Sequence, residues 1–229
     1  MEDGVFFREV LCSGKTLKVK QLYIGDVGCV VWDAALVLCR FLENQRYFPW
    51  EFWSGKSVVE LGAGTGVVGL AAGTLGADVI VTDLAECVTL MRSNIELNKD
   101  CITGRVTARS LVWGEDVTDI ISQSLNVIVM SDVVYYRELL VENVSVNWEM
   151  PGVQFKALAA LVKTLVDLSD KQTLVVMTYE QRTTGDKPQI ERTFFELMSE
   201  QFSHTAVPLS EQDPDMRSPD IHVILFRRK

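Results

Sequence analysis

From residue 57 onward, short apolar runs alternate with segments whose apolar residues recur at helical spacing. Residues 57–61, 78–83, 106–110, 127–131 and 173–179 read as buried strands, and residues 66–75, 86–98, 155–168 and 190–202 as helices. Strands without polar alternation are covered on both faces, so the pattern predicts an α/β fold with a parallel sheet and helical crossovers. The last two strands, 205–209 and 221–227, are joined through Pro214, Arg217, Ser218 and Pro219 without a helix, and an antiparallel pair is expected there. Ahead of the alternating region, residues 5–10 and 17–22 flank Ser13-Gly14 as a hairpin, and residues 32–42 have helical spacing. Tyr47, Phe48, Trp50 and Trp53, in the breaker-rich stretch that follows, are read as packing aromatics. No linker or repeat interrupts the chain, so one domain over 1–229 is expected, with 1–56 as an N-terminal extension of a core at 57–229.

Composition narrows the partners. A hydrophobic content of 48% in 229 residues supports a large core, and 22 Lys+Arg against 31 Asp+Glu give a net charge of −9, the wrong sign for non-specific phosphate binding. Nucleic acid is therefore not an expected partner, nor is a membrane, since no apolar run is long enough to span one. Five cysteines without a Cys-x-x-Cys pair, and an N-terminus without a leader pattern, read as a reduced, cytoplasmic protein. Two well-separated histidines offer no metal site. A monomer is expected.

The chemistry concentrates first at Glu60-Leu61-Gly62-Ala63-Gly64-Thr65-Gly66, between a strand and a helix, where a ligand can approach bare backbone and a helix N-terminus. Asp83 ends the next strand, the position from which a carboxylate accepts hydrogen bonds from ribose hydroxyls. A nucleotide-type cofactor is implied, but residues 64–69 also satisfy G-x-G-x-x-G, so NAD stays open on this pattern alone. Glu60 before a G-x-G-x-G loop resembles the first motif of class I methyltransferases. A quarter of the chain preceding the loop and the C-terminal antiparallel pair point the same way, towards S-adenosylmethionine.

The second concentration follows the apolar run 127–130, which delivers Ser131, Asp132, Tyr135 and Tyr136 to the carboxyl end of the sheet. Asp132-Val133-Val134-Tyr135 resembles the Asp-x-x-Tyr signature of the seven-stranded protein lysine methyltransferases. The segments 28–35, 60–66, 111–114, 179–182 and 218–222 are similar to the same family. The resemblance implies a Rossmann-like, class I, seven-stranded and mostly parallel sheet with helices on both faces and an antiparallel C-terminal pair. It places Trp32, Glu60, Gly62, Ala63, Gly64, Gly66, Asp83, Trp113 and Ser131 around S-adenosylmethionine, and Asp132 with Tyr135 beside the substrate lysine. It also implies a protein substrate, and the pattern resembles the branch acting on the AAA ATPase valosin-containing protein.

Trp32 and Trp113 also admit a reading as core tryptophans, and Tyr179 and Glu180 either line the substrate mouth or serve as strand-end packing. Residues of about 139–154 depart from the family as an inserted loop beside that mouth. The competing activities are methylation of another protein or a small-molecule amine, and an NAD-dependent oxidoreductase, for which no Tyr-x-x-x-Lys pair is evident.

Overall fold

A computed structural model describes residues 4–23, 27–120, 124–134 and 152–229 of the chain. Strands β1 (Val5–Cys12) and β2 (Lys15–Leu22) form the expected hairpin, turning on Ser13 and Gly14, both at positive φ as a two-residue turn between twisted strands requires. Helix α1 (Asp33–Phe41) follows a single 3-10 turn at Val27–Cys29. The alternating region then runs β3 (Ser57–Leu61), α2 (Val67–Thr74), β4 (Asp78–Asp83), α3 (Ala85–Leu97), β5 (Arg105–Ser110), β6 (Val127–Ser131), α4 (Gly152–Leu168), β7 (Leu174–Glu180), α5 (Lys187–Gln201), β8 (Phe202–Ala206) and β9 (Ile221–Arg228).

Seven of these strands form one sheet in the order β5-β4-β3-β6-β7-β9-β8, parallel from β5 to β7 and antiparallel across β9. Two apolar cores sandwich it. The first buries α1, α2 and the inner face of the hairpin against one side of the sheet; the second buries Leu161 and Leu165 of α4 and Phe194 of α5 against the other, with Phe226. This is the two-sided cover that the unbroken apolar strands predict.

Four expectations need correction. The strand placed at 205–209 lies at Phe202–Ala206, because Pro208 has no N–H to give a ladder and the chain turns into a 3-10 segment at Leu209–Glu211. Helix α4 already begins at Gly152, inside the stretch assigned to the inserted loop; residues 139–151 of that assignment lie outside the described residues. Helix α5 starts three residues earlier than its periodicity indicated, with a proline in its first turn. Phe48 and Trp53 are buried as expected, but Trp50 is 83% exposed.

Candidate functional site

Strand order reverses at β3, whose neighbours are β4 and β6, and a crevice opens where successive helices leave for opposite faces. A cavity of about 430 Å³ occupies this place, within the usual range for small-ligand sites. Gly62 and Gly64 form its floor at φ of 63° and 54°. A Cβ on Gly62 would stand 2.8 Å from Val133 Cγ1, and one on Gly64 would stand 2.5 Å from the Gly28 carbonyl oxygen. The loop is therefore glycine because the turn at 27–29 and the chain after β6 press against it, leaving its backbone bare to the cavity. Ala63 and Thr65 line the same floor.

Asp83, at the end of β4, faces the cavity. Its Oδ2 accepts from the Gly64 amide at 2.7 Å and its Oδ1 from the Leu84 amide at 2.7 Å. Burial pushes this carboxyl above its ordinary value, while the two amides hold it down. The Cys87 thiol bonds the same carboxylate, whose two oxygens offer about four lone-pair sites in all, so acceptor capacity remains. Trp113, beyond β5, lays its ring edge against Gly62 and walls one side, and Ser131 ends β6 on the cavity.

Two residues assigned to the cofactor lie elsewhere. Glu60 is 1% exposed beneath the loop, its Oε2 accepting from the Gly69 amide at 2.7 Å, and burial raises its pKa to about 8. Gly66 packs towards Met91 and Val81 at the start of α2 and does not line the cavity. They shape the loop from behind.

The opposite end of the cavity is built on Asp132, a non-glycine residue at φ 51° and 6% exposed. Its amide donates to the Thr178 carbonyl at 2.8 Å, which fixes the left-handed turn. Its Oδ1 accepts from the Glu180 amide at 3.2 Å and its Oδ2 from Arg182 Nη2 at 2.6 Å. Burial pushes the Asp132 carboxyl up, with Arg182 as the strongest force holding it down. Arg182 also bonds Glu180 Oε2, and its guanidinium carbon lies 5.6 Å from the ring centre of Trp32. Trp32, 43% exposed at the start of α1, therefore belongs to the Asp132 end of the cavity rather than to the core.

Tyr135 and Tyr136 lie outside the described residues. Tyr179 does not line the mouth: alternation along β7 turns it into the second core, where its hydroxyl donates to Glu191 at 3.1 Å and its ring meets Phe195 and His222. Glu180 reaches the site only through its amide and through Arg182. Sequence reasoning gave no role to Arg182, although it stands two residues beyond a buried strand at the carboxyl edge of the sheet. It also missed the α4 wall at Lys156, Ala157 and Ala160, for which the sequence carries no signal.

A family model described as lysine methyltransferase matches residues 12–147. The chain belongs to the lysine methyltransferase family. Among curated members it is 34% identical over 200 residues to protein N-lysine methyltransferase METTL21A of Danio rerio, a match covering 86% of this chain and 76% of the relative. It is 34% identical over 127 residues to EEF1A lysine methyltransferase 3 of Xenopus tropicalis, covering 55% and 54%. Among solved structures, magnesium protoporphyrin IX methyltransferase from Synechocystis PCC 6803, with SAH bound, aligns at TM-score 0.55 and 13% identity over 90% of both chains. The fold of this lysine methyltransferase family member is thus the class I methyltransferase fold anticipated above.

Proposed function

We propose that this chain is an S-adenosylmethionine-dependent protein-lysine N-methyltransferase that holds its cofactor at the glycine loop and its substrate lysine at Asp132. The observation that carries the reading is the position of Asp132, a buried carboxylate already paired with a side-chain cation, in the same cavity as the bare glycine floor. The cavity fits the cofactor at three points. Asp83 offers lone pairs for ribose hydroxyls, Trp113 offers an indole for the adenine, and a side chain at 62 or 64 would have no room. When bound, S-adenosylmethionine supplies an electrophilic methyl group on a sulfonium.

The remaining chemistry belongs to the chain. A free lysine side chain, with a pKa of about 10.4, is cationic at neutral pH, and only its neutral amine is nucleophilic. Asp132 receives the ammonium at the entrance; burial then favours the neutral amine as it advances. The resemblance adds Tyr135, outside the described residues, as a residue beside the substrate lysine. The substrate protein is the finer step, for which resemblance favours the AAA ATPase valosin-containing protein. The similarity to an EEF1A lysine methyltransferase favours EEF1A as the second candidate.

Labelled S-adenosylmethionine incubated with the enzyme and each candidate is expected to mark one of them on lysine. Asp132→Asn, chosen because asparagine tolerates positive φ, should cut that transfer by about 100-fold or more while calorimetric cofactor affinity stays within about twofold. Transfer to no protein lysine refutes the function; parallel loss of transfer and cofactor binding refutes the role given to Asp132.

A further inference from the structure

Asp132 does not wait as a free carboxylate. Both of its oxygens accept hydrogen bonds, and the one facing Arg182 is held at 2.6 Å by a guanidinium that is itself only partly exposed. That guanidinium lies over the Trp32 ring, so the position between carboxylate and indole is furnished on two sides for a cation. Arg182 has a second acceptor at hand: Glu180 Oε2 lies 3.1 Å from the same Nη2 and 3.3 Å from Nε, on the more exposed side. An incoming ammonium therefore meets an occupied berth whose occupant has somewhere to go.

We propose that Arg182 is a specificity-determining placeholder, whose guanidinium fills the cation berth between Asp132 and Trp32 until a substrate lysine displaces it onto Glu180. This rests on the lysine-methyltransferase reading above and names the event that admits the substrate. The exchange replaces one cation by another, so Asp132 is never left buried and unpaired, the state in which a buried ion pair is most costly. It also sets a threshold for entry. A side chain must bring a positive charge to compete for Asp132, which neutral side chains of similar length cannot do, and the competition raises the apparent KM for lysine without altering the transfer step.

The test uses the enzyme, a lysine-containing protein substrate and methylguanidinium as the probe cation, all at one fixed pH. Arg182→Ala is expected to lower the KM for the lysine substrate at least threefold with kcat within twofold. Methylguanidinium should then inhibit Arg182→Ala competitively against that substrate, and raise its melting temperature, while doing neither to the wild type and leaving the melting temperature of the Asp132→Asn/Arg182→Ala double variant unchanged. A raised KM in Arg182→Ala, or activation by methylguanidinium, would show that Arg182 assists the substrate and would overturn the proposal, as would the absence of any methylguanidinium effect on Arg182→Ala. If Arg182→Ala does not fold, Arg182→Gln, which keeps the first three carbons of the side chain and removes the charge, decides by the same KM shift: lowered supports, unchanged or raised overturns. The two readings fail separately. A wild type that methylates no lysine, alongside methylguanidinium stabilising Arg182→Ala, removes the proposed function and the lysine from the berth but leaves the berth itself.

Discussion

Resemblance places Glu60 around the cofactor, yet alternation along β3 turns its carboxyl under the glycine loop. Val58 and Glu60 share one face of the strand, Val59 and Leu61 the other, and the first face packs on α2. The carboxyl group is thereby sealed under the loop with the Gly69 amide as its hydrogen-bond donor, and burial raises its pKa from 4.5 to about 8. A carboxyl group raised in the folded state binds a proton that the unfolded chain has already released. Its contribution to stability is whole below about 4.5 and is lost as pH climbs to about 8. The slope is at most about 1.4 kcal/mol per pH unit. Glu60→Gln removes this proton and keeps an acceptor for Gly69. Denaturant melts of both proteins across this range should therefore diverge, the wild type weakening relative to the variant as pH rises. Parallel curves would mean that Glu60 is ionised in place.

At the scale of elements, the hairpin is held by a device that no periodicity displays. Asn94 and Asn98 stand one turn apart on and just beyond α3, and their amides pair with the free edge of β2 as a neighbouring strand would. Asn98 accepts from the Lys18 amide at 2.8 Å and donates to the Lys18 carbonyl at 3.0 Å; Asn94 does the same for Lys20 at 2.7 and 3.1 Å. Asn98→Ala leaves the Lys18 groups without these partners at a cost of about 1–3 kcal/mol. Amide exchange at Lys18 should quicken while the β3 amides keep their protection; an unchanged Lys18 rate would show that β2 does not depend on the clamp. The same physics governs what the sequence revealed. β6 over Val127–Met130 and β7 over Leu174–Met177 are unbroken apolar runs because both faces are covered, so they were legible to within a residue or two. β8 buries only Phe202, and an edge strand with one buried side chain has no pattern to read. The Asn clamp was illegible because two asparagines on a helix do not announce what faces them, and Arg182 was illegible because its partner is brought to it only by the pairing of β6 with β7.

For the whole molecule, the cavity matters because it is lined from both cores: the turn at 27–29, the loops after β3 and β6, the end of β4, and helices α4 and α5 all contribute. The glycine floor and Asp83 were legible in sequence yet fitted NAD as well as S-adenosylmethionine, and family membership, not the loop, separates them. Ligand-linked stability gives an independent answer. A ligand that binds only the folded chain adds about 2.7 kcal/mol at a hundredfold excess over its dissociation constant. For a domain of this length that corresponds to a rise of about 5–10 °C in melting temperature. S-adenosylmethionine and its demethylated product should each produce it, and NAD should not. Gly64→Ala should abolish the rise while leaving a folded protein, since its Cβ would meet the Gly28 carbonyl at 2.5 Å and force the turn and the floor apart. A rise with NAD equal to that with S-adenosylmethionine would reassign the cavity. A full rise retained in Gly64→Ala would mean that the ligand does not rest on the glycine floor.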